Sequence, residues 1–164
     1  MVAVSKTNRR LVQKVTEIYN WLDSQIGKQS NLAGRCDACG RCCDFKGFDH
    51  RLFVTTPELL YLAANVGAEN TKPMTTNSGS TLLTTGCPYN VDDKCTVYKF
   101  RFAGCRIFCC KADKDFQSRL SEMAIKKFRA ICEQFLIPYR YADLATALAS
   151  AENTKDGRQK TEDK

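Results

Sequence analysis

Between residues 7 and 28 apolar side chains recur at spacings of three and four: Leu11, Val15, Ile18, Leu22 and Ile26, with Tyr19 beside them. That period predicts an amphipathic helix whose stripe packs on a core, and Gly27 marks its end. A second stripe runs through Phe116, Leu120, Met123, Ala124, Lys127, Phe128, Ile131 and Phe135 and predicts a helix over 115–136, with Cys132 beside the stripe. Pro138 separates it from a further helix predicted over roughly 139–150. A third helix start is chemical rather than periodic. Thr55 followed three residues later by Glu58 is a capping box, and Pro57 is tolerated in a first turn. That helix carries Leu59, Leu60, Leu62 and Ala63 and ends near Gly67.

The strand signals are short. Leu52-Phe53-Val54 and Thr81-Leu82-Leu83-Thr84 are candidates. Cys87 to Tyr98 predicts a hairpin, with its turn over Asn90-Val91-Asp92-Asp93 and its return strand over Cys95-Thr96-Val97-Tyr98. Residues 30–50 and 68–80 predict loop, the first from its cysteines and spaced glycines, the second from its Thr, Asn, Ser and Gly. The expected architecture is α+β: one domain over 1–150, with a small irregular β region and cysteine-rich loops packed against flanking helices at 7–28 and 115–150. The polar, charged residues 151–164 predict a disordered tail. No internal repeat is visible.

Composition sharpens the question. A chain of 164 residues with 43% hydrophobic side chains can build a core without covalent staples, so its ten cysteines ask for a chemical explanation. The first residues hold Arg9, Arg10 and Lys14 but no apolar run of the kind an export signal needs. No stretch approaches the roughly 18 apolar residues of a membrane span. Both observations point to the cytoplasm, where thiols stay reduced and grouped cysteines bind metal or do catalysis. The net charge of +7 suggests nucleic acid at first sight. Two zinc sites of four thiolates each would bring it to about +3, so nucleic acid is disfavoured as a partner.

The cysteines fall into two groups. The first is Cys36-Asp37-Ala38-Cys39-Gly40-Arg41-Cys42-Cys43. Two residues between cysteines let two sulfurs reach one metal while backbone N–H groups in the turn point at sulfur, and Gly40 suits the positive φ of such a turn. The second group is dispersed: Cys87-Pro88, then Cys95, then Cys105-Arg106-Ile107-Phe108-Cys109-Cys110. The count fits two tetrahedral thiolate sites, or one multinuclear centre with accessory thiols. Disulfides are the competing reading, but the adjacent pairs Cys42–Cys43 and Cys109–Cys110 would make strained bridges. Cys132, on a helix stripe, reads as a buried free thiol. His50 is the sole histidine and reads as a surface residue between Asp49 and Arg51. Arg41 and Arg106 read as groups that hydrogen-bond sulfur or neutralise thiolate charge.

Together these strings resemble the YkgJ-like CxxCxxCC cysteine-cluster family, described as zinc- or iron-chelating. The matching residues are Cys36-x-x-Cys39-Gly40-x-Cys42-Cys43, Cys87-Pro88, Cys95-Thr96-Val97-Tyr98, Arg101, Cys105-Arg106, Phe108 and Cys110, covering roughly 33–111. Two positions depart from the pattern. Phe102 stands where the family usually has proline, and Cys109 where proline often precedes the final cysteine. The resemblance implies a metal-chelating role for Cys36, Cys39, Cys42, Cys43, Cys87, Cys95, Cys105 and Cys110. Flagellin lysine methylases look similar in their cysteine clusters, which brings in an iron–sulfur centre. The expectation is therefore a protein whose thiolates hold zinc or an iron–sulfur cluster, with a metal ion and a possible protein partner, and no membrane. The alternatives are an iron–sulfur redox or methyltransferase-related enzyme, and a zinc-dependent nucleic-acid-binding protein. Whether the chain is an enzyme is left open.

Overall fold

The computed structural model describes residues 6–49, 51–67 and 86–156. The first stripe forms α1 (Lys6–Lys28), and a single further turn, α2 (Ser30–Ala33), follows within the predicted loop. Strand β1 (Phe53–Thr55) leads directly into α3 (Thr56–Val66). The capping box closes this junction: Glu58 accepts the Thr55 backbone N–H at 2.8 Å and the Thr55 hydroxyl at 2.7 Å. Next come the hairpin strands β2 (Asn90–Val91) and β3 (Lys94–Cys95), the short α4 (Ala103–Ile107) and the long α5 (Lys114–Phe135). Asp113 caps α5 by accepting the Phe116 N–H at 2.7 Å. The chain closes with β4 (Tyr141–Asp143) and α6 (Leu144–Asp156). The fold is α+β, with helices dominating two small antiparallel ribbons.

The core has two parts. In the first, the α1 stripe (Leu11, Val15, Ile18, Tyr19, Leu22) meets the α5 stripe (Phe116, Leu120, Ala124, Phe128, Ile131), with Tyr61 of α3 and Ala103 and Ile107 of α4 filling between. In the second, Leu52 and Val54 of the β1 segment pack with Leu62, Tyr89, Val97, Phe102 and, from α6, Leu144 and Leu148. Phe100 touches both. Each fully buried Leu, Val or Phe contributes about 1.5–3 kcal/mol, so the two clusters together hold the elements that carry the cysteines.

Several expectations need correction. Residues 141–143 are extended, not helical: β4 pairs with β1 in the register Phe53↔Asp143, Val54↔Ala142, Thr55↔Tyr141. Pro138 does end the preceding helix region, but the next helix begins only at Leu144. It runs to Asp156, into the segment predicted to be disordered, while 157–164 lie outside the described residues. The hairpin return strand is only Lys94–Cys95, because Tyr98–Phe100 forms a 3-10 turn. The predicted loop 68–80, the strand candidate 81–84 and His50 lie outside the described residues. Among those described, no helix is long and apolar enough to cross a membrane.

Phe102, where the resemblance noted above implies proline, has φ −65° and ψ 161°. Proline would hold the same φ, so the backbone bend into α4 survives the replacement. The ring is 1% exposed and fills the second core. At the end of α5, Leu136 occupies the left-handed region at φ 53°, ψ 40° and is 92% exposed. Its side chain strains the backbone and buries nothing. Leu136→Gly is expected to raise unfolding stability by about 0.5–1 kcal/mol, read as a higher urea midpoint with unchanged slope.

Candidate metal centre

The first cysteine loop is pinned by two glycines that leave no room for a side chain, Gly34 before it and Gly40 within it. At Gly34 (φ 66°) a Cβ would stand 2.9 Å from the Lys111 carbonyl carbon, and at Gly40 (φ 72°) 2.9 Å from the Asp93 carbonyl oxygen. The loop therefore lies between the hairpin turn and the segment after Cys110. The Asp113 N–H donates to the Leu32 carbonyl at 2.8 Å, and Lys111 pairs with Asp37 at 2.6 Å. That pair is exposed and holds position more than it stabilises.

Within the loop the backbone turns toward sulfur as the spacing predicts. The Ala38 N–H donates to Cys36 Sγ at 3.4 Å, and the Arg41 backbone N–H bonds Cys39. The Val97 N–H does the same for Cys95 in the second group. In all three the donor is two residues beyond the cysteine, so each turn aims a backbone N–H at sulfur.

A 3-10 turn (Arg41–Cys43) then carries Cys42 and Cys43 against the second half of the chain. The Cys87 N–H donates to the Cys43 carbonyl at 2.7 Å. The thiols of Cys42, Cys43 and Cys87 are in hydrogen-bonding contact, and Cys95 and Cys105 lie close enough to feel their charge. Five thiols from three separate segments thus converge: Cys42 and Cys43, Cys87 and Cys95 on the hairpin, and Cys105 on α4. Cys87 and Cys95 are half-buried and pack on the second core. Cys105 keeps an open surface although protein surrounds it on most sides.

Crowding makes Cys42, Cys43, Cys95 and Cys105 weaker acids than a free thiol. The bond to Cys43 and then burial push Cys42 far up. Contact with Cys42 pulls Cys43 down, but the bond to Cys87 and burial outweigh it and hold Cys43 at about 11. Burial, with Cys43 and Cys95 nearby, raises Cys105, and burial also raises Cys95. Outside this group stand Cys36, Cys39 and Cys110, all exposed. Cys39 is the opposite case: bonds from the Arg41 backbone and guanidinium lower it.

Arg41 therefore serves sulfur as expected. Arg106 does not. Its guanidinium pairs with Asp23 of α1 at 3.0 Å, donates to the carbonyls of Arg101 and Lys99 at 3.1 Å each, and lies over the Tyr19 ring at 4.3 Å. It clamps α4 to α1. Cys109 is buried, with its N–H on Gln117 Oε1 at 3.0 Å, while Cys110 is exposed. Cys132 is buried in α5, as its place on the stripe predicts. All ten cysteines are free thiols. Among the described residues, no three Cys, His, Asp or Glu side chains are arranged so that they could hold one ion. The thiols converge without closing on a point.

One residue that positions the site was visible in the sequence only as a cap. Glu58, 2% exposed, also accepts the Ala103 N–H, the first of α4, at 2.7 Å and the Tyr19 hydroxyl at 3.4 Å. It ties α3, α4 and α1 together two residues before Cys105. Its partners lie far away in sequence, so only an acidic residue at the start of an apolar helix hinted at it.

Compared with known proteins, the chain matches no protein-family model, no curated protein and no solved structure.

Proposed function

We propose that this protein binds metal through clustered thiolates, holding zinc or an iron–sulfur cluster in a reducing, cytoplasmic setting. The observation that carries the reading is the meeting of Cys42 and Cys43 with Cys87, Cys95 and Cys105. Residues distant in sequence bring soft donors to one place, and thiolates select zinc and iron–sulfur centres. The backbone N–H groups directed at Cys36, Cys39 and Cys95 support it, since they stabilise the anionic form that metal needs. The resemblance to the YkgJ-like CxxCxxCC family points the same way and adds Cys36, Cys39 and Cys110 to the ligand set. Bringing the sulfurs onto one ion requires the segments that carry them to move, at a cost that binding energy offsets.

The chain's own residues would supply ligands and shape; the metal would supply Lewis acidity or electron storage, according to its identity. The test is purification without oxygen, followed by a visible spectrum and metal and sulfide analysis. Stoichiometric zinc in a colourless protein, or iron and sulfide with broad absorption near about 400 nm, is the expected result. Freshly purified protein with ten titratable thiols and neither metal overturns the reading.

A further inference from the structure

The hairpin places a side-chain amide beside the thiol group. Asp92 and Asp93 both have positive φ, 50° and 59°, which makes a two-residue turn of the primed kind. Val91 and Lys94 flank that turn and pair with each other; Asn90 pairs with Cys95. One step further out, the Thr96 N–H donates to the Tyr89 carbonyl at 2.8 Å. Pairs in an antiparallel ladder alternate between bonded and non-bonded, so Asn90 and Cys95 form a non-bonded pair. Their side chains leave the same face, with Cβ atoms about 4.5–5.5 Å apart.

The oxygen of that amide is unsatisfied. Asn90 Oδ1 is buried and has no hydrogen-bond partner among the described residues. A buried amide oxygen without a donor costs free energy, so its place beside a cysteine asks for a state in which the cost disappears. A half-turn about χ2 exchanges Oδ1 for Nδ2 at the same position. A neutral thiol is a weak acceptor for that N–H, whereas a thiolate is a strong one.

We propose that Asn90 is a positioning residue of the thiol site, its side-chain amide donating to Cys95 Sγ when that sulfur serves as a metal ligand. This rests on the metal-binding reading above. The Cys95 sulfur then receives two donors, the Val97 backbone N–H and Asn90 Nδ2, and the hairpin is locked with its sulfur aimed at the ion. No bond is made or broken beyond the ligand exchange: the thiol proton leaves to solvent as metal binds, and the amide turns to replace it as the hydrogen-bond donor.

The experiment compares the full chain, Asn90→Leu and Asn90→Ser. Each is loaded with zinc ion alone and titrated with a chromophoric chelator; cobalt-loaded samples give the sulfur-to-metal absorption band. Metal-free samples are melted in parallel. Asn90→Leu is expected to hold zinc at least about tenfold more weakly and to shift the cobalt band. Asn90→Ser, which keeps a donor, is expected to fall between it and the parent protein. Metal-free Asn90→Leu is expected to melt no lower than the parent, because the change removes a buried oxygen that has no partner. If the parent holds zinc and Asn90→Leu holds it equally well, the role of Asn90 is overturned and the metal site stands. A weakened zinc hold matched by an equal loss of metal-free stability overturns it too, as a merely structural role. A parent protein that takes up neither zinc nor iron overturns both.

Discussion

Replacing Glu58 with alanine will lower unfolding stability by about 3–5 kcal/mol, a large part of what a domain of this size possesses. The carboxylate accepts three close hydrogen bonds, from the Thr55 N–H, the Thr55 hydroxyl and the Ala103 N–H, and a longer one from Tyr19. Alanine leaves these donors buried with nothing to meet. It also frees the start of α4, and with it Cys105. Urea titration followed by helix signal measures the loss, and a change below about 1 kcal/mol would show that water or a neighbour replaces the carboxylate. The pH dependence has a definite sign. Burial outweighs the hydrogen bonds and holds the Glu58 carboxyl above its usual range. A folded-state value above the unfolded one means that the protonated form favours the fold. This contribution is full below the unfolded value near 4.5 and is lost as pH rises through the folded one. Glu58→Gln cannot titrate. The stability gap between the parent and Glu58→Gln is therefore expected to be widest in acid and to narrow as pH climbs above 4.5.

The second large effect is chemical. Cys43→Ser is expected to abolish metal retention through dialysis against a chelator, a loss of at least about a hundredfold in affinity. Cys43 is the thiol that touches both Cys42 and Cys87. Its carbonyl, which receives the Cys87 N–H at 2.7 Å, is untouched by the change, so serine removes the soft sulfur donor of the proposed site while keeping the local backbone. Cys132→Ala is the matched control: buried in α5 away from the thiol group, it should leave metal content per chain unchanged. Elemental analysis of the three proteins decides the matter. Equal metal in all three would place the ion elsewhere or nowhere.

Much of the helical framework was legible because its signals are local. The stripes of α1 and α5 announce both helix and buried face, and Thr55 with Glu58 announces a helix start. The turns toward sulfur at Cys36 and Cys39 follow from spacing alone, as does the positive φ of Gly40. What escaped depends on partners distant in the chain. Tyr141 to Asp143 have no strand signature of their own and become a strand because β1 lies alongside. Tyr98 would extend the hairpin by alternation, yet the chain must turn there to bring Phe100 and Phe102 into the two cores. Arg106 sits next to a cysteine, but Asp23 and Tyr19 on another helix claim its charge. Glu58 was legible as a cap and illegible as the anchor of α4. The grouping of the thiols into five that converge and three at the surface likewise depends on how the loops dock.

That convergence has a consequence during synthesis. Cys43 and Cys105 are separated by about sixty residues, which a ribosome needs several seconds to add at roughly 5–20 residues per second. Cys87, Cys95 and Cys105 follow the Cys36–Cys43 loop out of the ribosome one after another, so the loop waits outside with its set of partners incomplete. The nascent chain thus offers a few bare thiols to whatever oxidant or stray copper the cell contains, before all five thiols can meet.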